Sequence, residues 1–198
     1  MKKKGKFKLW NLPNSLTIVR IVGSVCIPFL LLFSADETGC FLALIIFCFC
    51  SITDFLDGYL ARRLNQTSNL GKMLDPIADK LLVVLVLSSL VLVFRSTYGY
   101  QLGIPIVIII TREILVSGIR EFFGSSEQKF SVMNLSKLKT GMQMIAIIFL
   151  LTSQLRSFEN LNLLQFGVFF LWIAAGFSLY TGLVYVYRAM VLLGEERK

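Results

Sequence analysis

The chain has 198 residues, of which 56% are hydrophobic and only 16% are charged. Its mean hydropathy of +0.73 excludes an ordinary soluble globular domain. The formal net charge is +8, and the chain contains no histidine. Any acid–base chemistry must therefore use carboxylate, lysine, tyrosine or metal-bound water.

Six apolar stretches are long enough to cross about 30 Å of hydrocarbon as helices. Residues 1–14 precede them, and the apolar residues among the lysines of this cytoplasmic segment predict a short amphipathic helix in the membrane interface. We therefore predict an all-α integral membrane protein, a six-helix bundle forming a single domain over residues 1–198. The spans are predicted near 15–34, 40–62, 72–95, 102–122, 136–153 and 163–193.

Most basic residues outside the spans lie on one side of this six-span arrangement, and the opposite connections are poor in positive charge. Five lysines precede the first span, Arg62 and Arg63 follow the second, and Lys129 lies between the fourth and fifth. By the positive-inside rule, both termini are cytoplasmic. The positive face would attract anionic headgroups or phosphorylated substrates. Nucleic acid is not an expected partner, because no basic stripe interleaved with aromatic residues lies outside the spans.

Four aspartates fall within or beside the second and third spans. An ionised carboxylate is costly in hydrocarbon, so such residues usually face an aqueous cavity and mark a functional site. Asp54 and Asp57 are three positions apart, and Asp75 and Asp79 are four apart. Each pair therefore lies on one face of a helix. Four converging anions would repel one another unless cations neutralised them.

The residues around these aspartates suit a bound diphosphate. With no thiolate or imidazole nearby, the hard oxygen ligands favour two Mg²⁺ ions, or Mn²⁺ in their place. Gly58 and Ala61 keep the helix face beside the metals free of bulk, and Arg62 offers a planar donor to phosphate. Gly71 permits a tight turn before the third span. The pattern indicates phosphoryl-transfer chemistry.

The complete pattern resembles the signature of the CDP-alcohol phosphatidyltransferases. It reads Asp54-x-x-Asp57-Gly58-x-x-Ala61-Arg62, then eight residues, then Gly71-x-x-x-Asp75-x-x-x-Asp79. The resemblance implies six membrane helices, usually in a homodimer. We expect a bacterial inner membrane and an active site that faces the cytoplasm.

The resemblance also implies a role for each residue of the motif. Asp54 and Asp75 would bridge two Mg²⁺ ions and Asp57 would bind one of them. Asp79 would bind the other ion and act as the general base. Contacts to CDP-diacylglycerol would come from Gly58, Ala61, Arg62, Ser68 and Gly71.

The first span contains a further match, Asn14-Ser-Leu-Thr17-x-x-Arg20, which is similar to the nucleotide-side segment of the family. Thr17 and Arg20 would then contact CDP-diacylglycerol. Physical chemistry alone leaves a second interpretation of Arg20 open, as a snorkelling or helix-pairing residue.

A later region resembles the branch of the family whose acceptor is glycerol 3-phosphate. It comprises Thr111-Arg112-Glu113-Ile-Leu-Val-Ser117-Gly118-Ile-Arg120-Glu121 and Ser136-Lys137-Leu-Lys139-Thr140. The resemblance implies that the acceptor phosphate binds four cations, and that the products are phosphatidylglycerophosphate and CMP, in phospholipid biosynthesis. Each cation could instead be an interfacial anchor. The four are Arg112, Arg120, Lys137 and Lys139.

Other functions remain open at this stage. Inositol phosphate or serine could be the acceptor in the same reaction class. An intramembrane prenyltransferase also binds diphosphate through aspartates and magnesium, but it lacks the Asp-Gly-x-x-Ala-Arg segment. An ion or proton transporter places carboxylates inside a helical bundle as well.

Overall fold

The computed structural model describes residues 12–34, 36–64, 69–123, 133–158 and 161–195. Regular structure in these ranges is entirely helical, and each predicted span overlaps one α-helix. A short 3₁₀ helix, Arg156–Phe158, lies between the last two. The six α-helices are α1 (Leu12–Phe33), α2 (Glu37–Leu64), α3 (Asn69–Val93), α4 (Arg95–Phe123), α5 (Met133–Thr152) and α6 (Leu163–Glu195).

Four helices contain segments that are long and apolar enough to cross a membrane, namely Ser15–Phe33, Pro76–Val93, Tyr98–Phe123 and Leu163–Gly194. Shorter apolar segments, Glu37–Thr53 and Leu138–Thr152, lie in α2 and α5. The all-α prediction is therefore confirmed for the described residues, and the apolar helices are compatible with an integral membrane protein. The count of six spans stays a prediction, and residues 1–11 of the predicted interfacial helix lie outside the described residues.

The connection predicted between the third and fourth spans differs from the structure. The spans predicted near 72–95 and 102–122 leave residues 96–101 as a short connection between them, but α4 already begins at Arg95. The backbone leaves helical geometry only at Tyr98, where φ is −135° and ψ is 25°. The Tyr98 amide still donates to the carbonyl of Phe94 at 2.9 Å. Hydrogen bonding within the chain is the expected solution at the edge of a bilayer.

The chain forms two compact units, Met1–Val86 and Leu87–Lys198. In the first unit, Asp36 caps α2 by accepting a hydrogen bond from the Gly39 amide at 3.1 Å. A side chain at Gly39 would lie 1.9 Å from the Ser34 carbonyl oxygen, so this tight connection requires glycine. Farther along, Gly23 lets α1 approach Cys50 of α2 closely.

In the second unit, α6 packs against both α4 and α5. Gly167 near the start of α6 contacts Leu150 near the end of α5, so these two helices are antiparallel. Contacts between α4 and α6 advance along both helices together, from Arg112 against Gly182 to Arg120 against Tyr185. Helices α4 and α6 are therefore parallel, as alternating membrane crossings require.

Candidate active site

In the first unit, a charged contact joins Asp79 of α3 to α1. Arg20 Nη1 donates to Asp79 Oδ1 at 3.1 Å. The arginine side chain is 1% exposed, whereas that of Asp79 is 50% exposed. A buried cation thus holds a carboxylate that remains accessible. Thr17 is also buried, on the same face of α1 and one turn before Arg20.

The other three aspartates lie at helical positions of the backbone. Asp54 and Asp57 fall in the C-terminal part of α2, and Asp75 lies one turn before Asp79 in α3. The helical spacing predicted for each pair is therefore present. The side chains of these aspartates, of Ala61 and of Arg62 lie outside the described part of the structure, as do the surroundings of Gly58 and Gly71. Ser68 lies in the undescribed range 65–68. Within the described side chains, no group of three or more potential metal ligands is found.

The donor chemistry of the four aspartates nevertheless fits magnesium. Their side chains offer only carboxylate oxygens, which are hard ligands. The four cysteines of the chain lie elsewhere on α1 and α2, and all four are unpaired thiols. The motif therefore supplies only carboxylate oxygens as metal ligands.

A second group of charged side chains lies within the second unit. Glu113 on α4 accepts a hydrogen bond from Lys139 Nζ on α5 through Oε1. The same oxygen lies 3.5 Å from Arg112 Nη1. The side chains of Lys139 and Arg112 are only 3% and 7% exposed. One carboxylate oxygen is therefore shared by two buried cations.

Tyr185 of α6 connects this pair to a third cation. Arg120 Nη2 donates to the Tyr185 hydroxyl at 2.7 Å, and the Arg120 guanidinium carbon lies 5.2 Å from the centre of the ring. The guanidinium carbon of Arg112 lies 5.8 Å from the same ring. Tyr185 itself is buried against Val116 and Ala189. We call Arg112, Glu113, Arg120, Lys139 and Tyr185 the cationic cluster.

Burial within this unit leaves several polar atoms without a hydrogen-bond partner among the described residues. Arg112 has two such groups, Nε and Nη2. The amide nitrogen of Gln143, one turn after Lys139 on α5, and the hydroxyl of Ser178 on α6 are in the same situation. Unpaired buried donors cost about 1–3 kcal/mol each. An anion with several acceptor oxygens could satisfy donors of this kind.

The structure thus brings together three of the four cations predicted for the acceptor, Arg112, Arg120 and Lys139. The side chain of Lys137 lies outside the described residues. Sequence reasoning assigned no role to Glu113 or Tyr185. Glu113 could have been singled out from the sequence, because an acidic residue within an apolar run usually marks a functional site. Tyr185 gave none, because aromatic residues are common throughout α6.

Comparison with known proteins identifies the family of the chain. The model of the family described as CDP-alcohol phosphatidyltransferase matches residues 10–180, which include the aspartate motif and most of the cationic cluster. The match thus extends across both compact units.

Bacterial relatives named "CDP-diacylglycerol--glycerol-3-phosphate 3-phosphatidyltransferase" cover nearly the whole chain. One from Rickettsia bellii is 42% identical over 176 residues, which are 88% of this chain and 93% of the relative. One from Shigella flexneri serotype 5b is 35% identical over 191 residues, 94% and 99% of the two chains. One from Wigglesworthia glossinidia brevipalpis is 34% identical over 183 residues, 90% and 94% of the two chains. The family predicted from the motif is confirmed, and the chain belongs to the CDP-alcohol phosphatidyltransferases.

Proposed function

We propose that this membrane enzyme transfers the phosphatidyl group of CDP-diacylglycerol to glycerol 3-phosphate, which yields phosphatidylglycerophosphate and CMP. The aspartate motif and the family support the reaction class. The cationic cluster is the observation that favours this acceptor, since two cations are buried around one carboxylate. The names of the relatives point to the same acceptor.

Charge complementarity supports a phosphorylated acceptor. The cluster has three cations, Arg112, Arg120 and Lys139, and a single carboxylate, so its net charge is +2. A phosphate monoester carries a charge of about −1.5 to −2 at pH 7. Lys137 would add to the attraction. Serine or another acceptor without phosphate would leave the positive charge of the cluster uncompensated, although two of its cations, Arg112 and Lys139, are buried.

On the donor side, we propose that two Mg²⁺ ions are held by Asp54, Asp57, Asp75 and Asp79. When bound, they would neutralise the diphosphate of CDP-diacylglycerol. Thr17, Arg20, Gly58, Ala61, Arg62, Ser68 and Gly71 would line the nucleotide and its phosphates. The contact between Arg20 and Asp79 supports this grouping, because it ties the motif of α1 to that of α3.

Asp79 is the proposed general base. Its carboxylate takes the proton of the acceptor hydroxyl as that oxygen forms a bond to the lipid-side phosphorus. The bond from this phosphorus to the bridging oxygen of the diphosphate breaks, and CMP leaves with the electron pair. Arg20 contributes by fixing the orientation of Asp79, since precise placement of reacting groups supplies a large share of rate enhancement.

We further propose six membrane spans in one domain, with both termini and the active site on the cytoplasmic side of a bacterial inner membrane. The parallel packing of α4 with α6 and the antiparallel packing of α5 with α6 are consistent with alternating crossings. The basic N-terminal residues would then lie on the lipid surface. A homodimer is expected from the family.

The test is CMP release by purified protein in detergent with CDP-diacylglycerol, Mg²⁺ and one acceptor at a time. We expect turnover with glycerol 3-phosphate, loss of turnover with chelator, and recovery with added Mg²⁺ or Mn²⁺. Asp79→Asn should reduce the rate by about 100-fold to 10,000-fold, the usual contribution of a positioned base. Turnover with only serine or inositol phosphate would keep the reaction class and reject the acceptor. A folded protein that neither binds CDP nor releases CMP would reject the enzyme and favour a transporter.

A further inference from the structure

We propose that Glu113 is a built-in competitor of the acceptor phosphate, and that its carboxylate limits how tightly the cationic cluster binds that phosphate. This inference rests on the proposed function, because it assigns the cluster to the acceptor. It makes Glu113 a residue that sets acceptor affinity without reacting.

The position of Glu113 between its neighbours is the first argument. Oε1 accepts a hydrogen bond from Lys139 Nζ and lies 3.5 Å from Arg112 Nη1. These are the two most buried cations of the cluster. A carboxylate oxygen and a phosphate oxygen make the same kind of charge-assisted hydrogen bond to such donors. Glu113 therefore offers these cations the type of contact that a phosphate would offer.

The second argument is that Glu113 does not saturate Arg112. The Nε and Nη2 groups of this guanidinium are buried and have no hydrogen-bond partner among the described residues. Arginine presents its donors in a planar fork that matches two oxygens of a phosphate. The side chain is confined by α6, because even a methyl group added at Gly182 would lie 3.0 Å from Arg112 Cγ, and the guanidinium carbon lies 5.8 Å from the centre of the Tyr185 ring. The donors are thus fixed in place for a second anion.

Charge supplies the third argument. With Glu113 the cluster carries +2, which matches a phosphate dianion, and without it the cluster would carry +3. Because the carboxylate shares donors with the incoming phosphate, the two anions repel each other in a poorly solvated site. The lipid product keeps the acceptor phosphate, so excessive affinity would slow its release. Glu113 therefore lowers the affinity for the acceptor phosphate and speeds release of the lipid product.

The experiment compares wild-type protein with Glu113→Gln in the CMP-release assay, with glycerol 3-phosphate varied and inorganic phosphate added as inhibitor. We expect KM for glycerol 3-phosphate and the inhibition constant of phosphate both to fall about tenfold in Glu113→Gln, because one repulsive charge is removed. The value of kcat should fall at the same time through slower product release. A purely structural role predicts the opposite change in KM.

Two control variants isolate the charge at this position. Glu113→Asp keeps the carboxylate, so its KM should stay within about twofold of wild type if charge is decisive. Glu121→Gln removes an exposed acid from the same helix and should leave KM unchanged. An unchanged or raised KM in Glu113→Gln would overturn the inference, and so would an equal fall in Glu121→Gln.

If the proposed function is wrong, the CMP-release assay gives a result that differs from failure of the Glu113 inference. In that case wild-type protein releases no CMP with glycerol 3-phosphate. The role of Glu113 is then decided by thermal stabilisation with inorganic phosphate alone. We expect Glu113→Gln to reach a given rise in melting temperature at about one-tenth of the phosphate concentration that wild type needs for the same rise. Equal concentrations for the two proteins would overturn the inference.

Discussion

Arg20 Nη1 lies 3.1 Å from Asp79 Oδ1, so a cation that is almost wholly buried on α1 holds a half-exposed carboxylate on α3. The two residues of this pair have different roles. The buried partner supplies rigidity, because its side chain is fixed by packing, while the exposed partner stays accessible to a ligand. We propose from this asymmetry that Arg20 positions Asp79 and does more than anchor a helix at the interface.

Substitution of Arg20 by lysine tests this relationship. Arg20→Lys keeps the positive charge but loses the planar fork, so we expect the orientation of Asp79 to loosen. The kcat for CMP release should fall by about 10-fold to 100-fold, the effect of misplacing a reacting group by about 1 Å. Thermal melting in detergent serves as the control for folding. An unchanged kcat would show that Arg20 is an anchor and not a positioning residue.

Gly182 tests whether the position of Arg112 matters. A methyl group at this residue would lie 3.0 Å from Arg112 Cγ, so Gly182→Ala should displace the guanidinium by a few tenths of an ångström. We expect KM for glycerol 3-phosphate to rise about threefold to tenfold, with a smaller change in kcat, since overpacking costs about 1–3 kcal/mol. Gly176→Ala is the matched control, because no atom lies within 4 Å of the added methyl group. Equal KM values in the two variants would argue against a role for Arg112 in acceptor binding.

The hydroxyl of Tyr185 can be removed without losing the ring. Tyr185→Phe eliminates the acceptor for Arg120 Nη2, which now lies 2.7 Å from the hydroxyl oxygen, but leaves the ring faces near both arginines. A single hydrogen bond contributes about 1 kcal/mol, so KM for glycerol 3-phosphate should rise about fivefold. The KM for CDP-diacylglycerol should not change. A rise confined to CDP-diacylglycerol would place Arg120 at the donor instead.

The packing of α5 on α6 can be tested by stability alone. A methyl group at Gly167 would lie 2.8 Å from two side-chain carbons of the buried Leu150 and 3.2 Å from its backbone nitrogen. Gly167→Ala should therefore destabilise the protein by about 1–3 kcal/mol, because the two helices must separate. Gly141→Ala on α5 has open space around the methyl group and should be neutral or slightly stabilising. Thermal unfolding of both variants in the same detergent would reveal the difference, and equal midpoints would contradict this packing.

The helices, and the placement of the aspartate motif on them, could be predicted from the sequence for a clear physical reason. Long apolar runs must be helical in a bilayer, and charged residues within them stand out against that background. The spacing of Asp75 and Asp79 could be anticipated in this way, whereas the grouping of Arg112 with Lys139 was expected from the resemblance to the family. Tyr185 could not, because a tyrosine in an aromatic-rich helix has no distinguishing pattern. The helical continuation through residues 96–101 was also missed, since polar residues there resemble a loop although their amides pair within the chain.

Identification of the lipid product is the most direct test of the proposed function. Purified protein would be incubated with CDP-diacylglycerol, Mg²⁺ and glycerol 3-phosphate, and both CMP and the lipid product would be quantified by mass spectrometry. We predict one phosphatidylglycerophosphate for each CMP, and about 100-fold to 10,000-fold slower formation of both products with Asp79→Asn. CMP accompanied by a different phospholipid, or by phosphatidic acid from attack by water, would contradict the assignment of glycerol 3-phosphate as the acceptor.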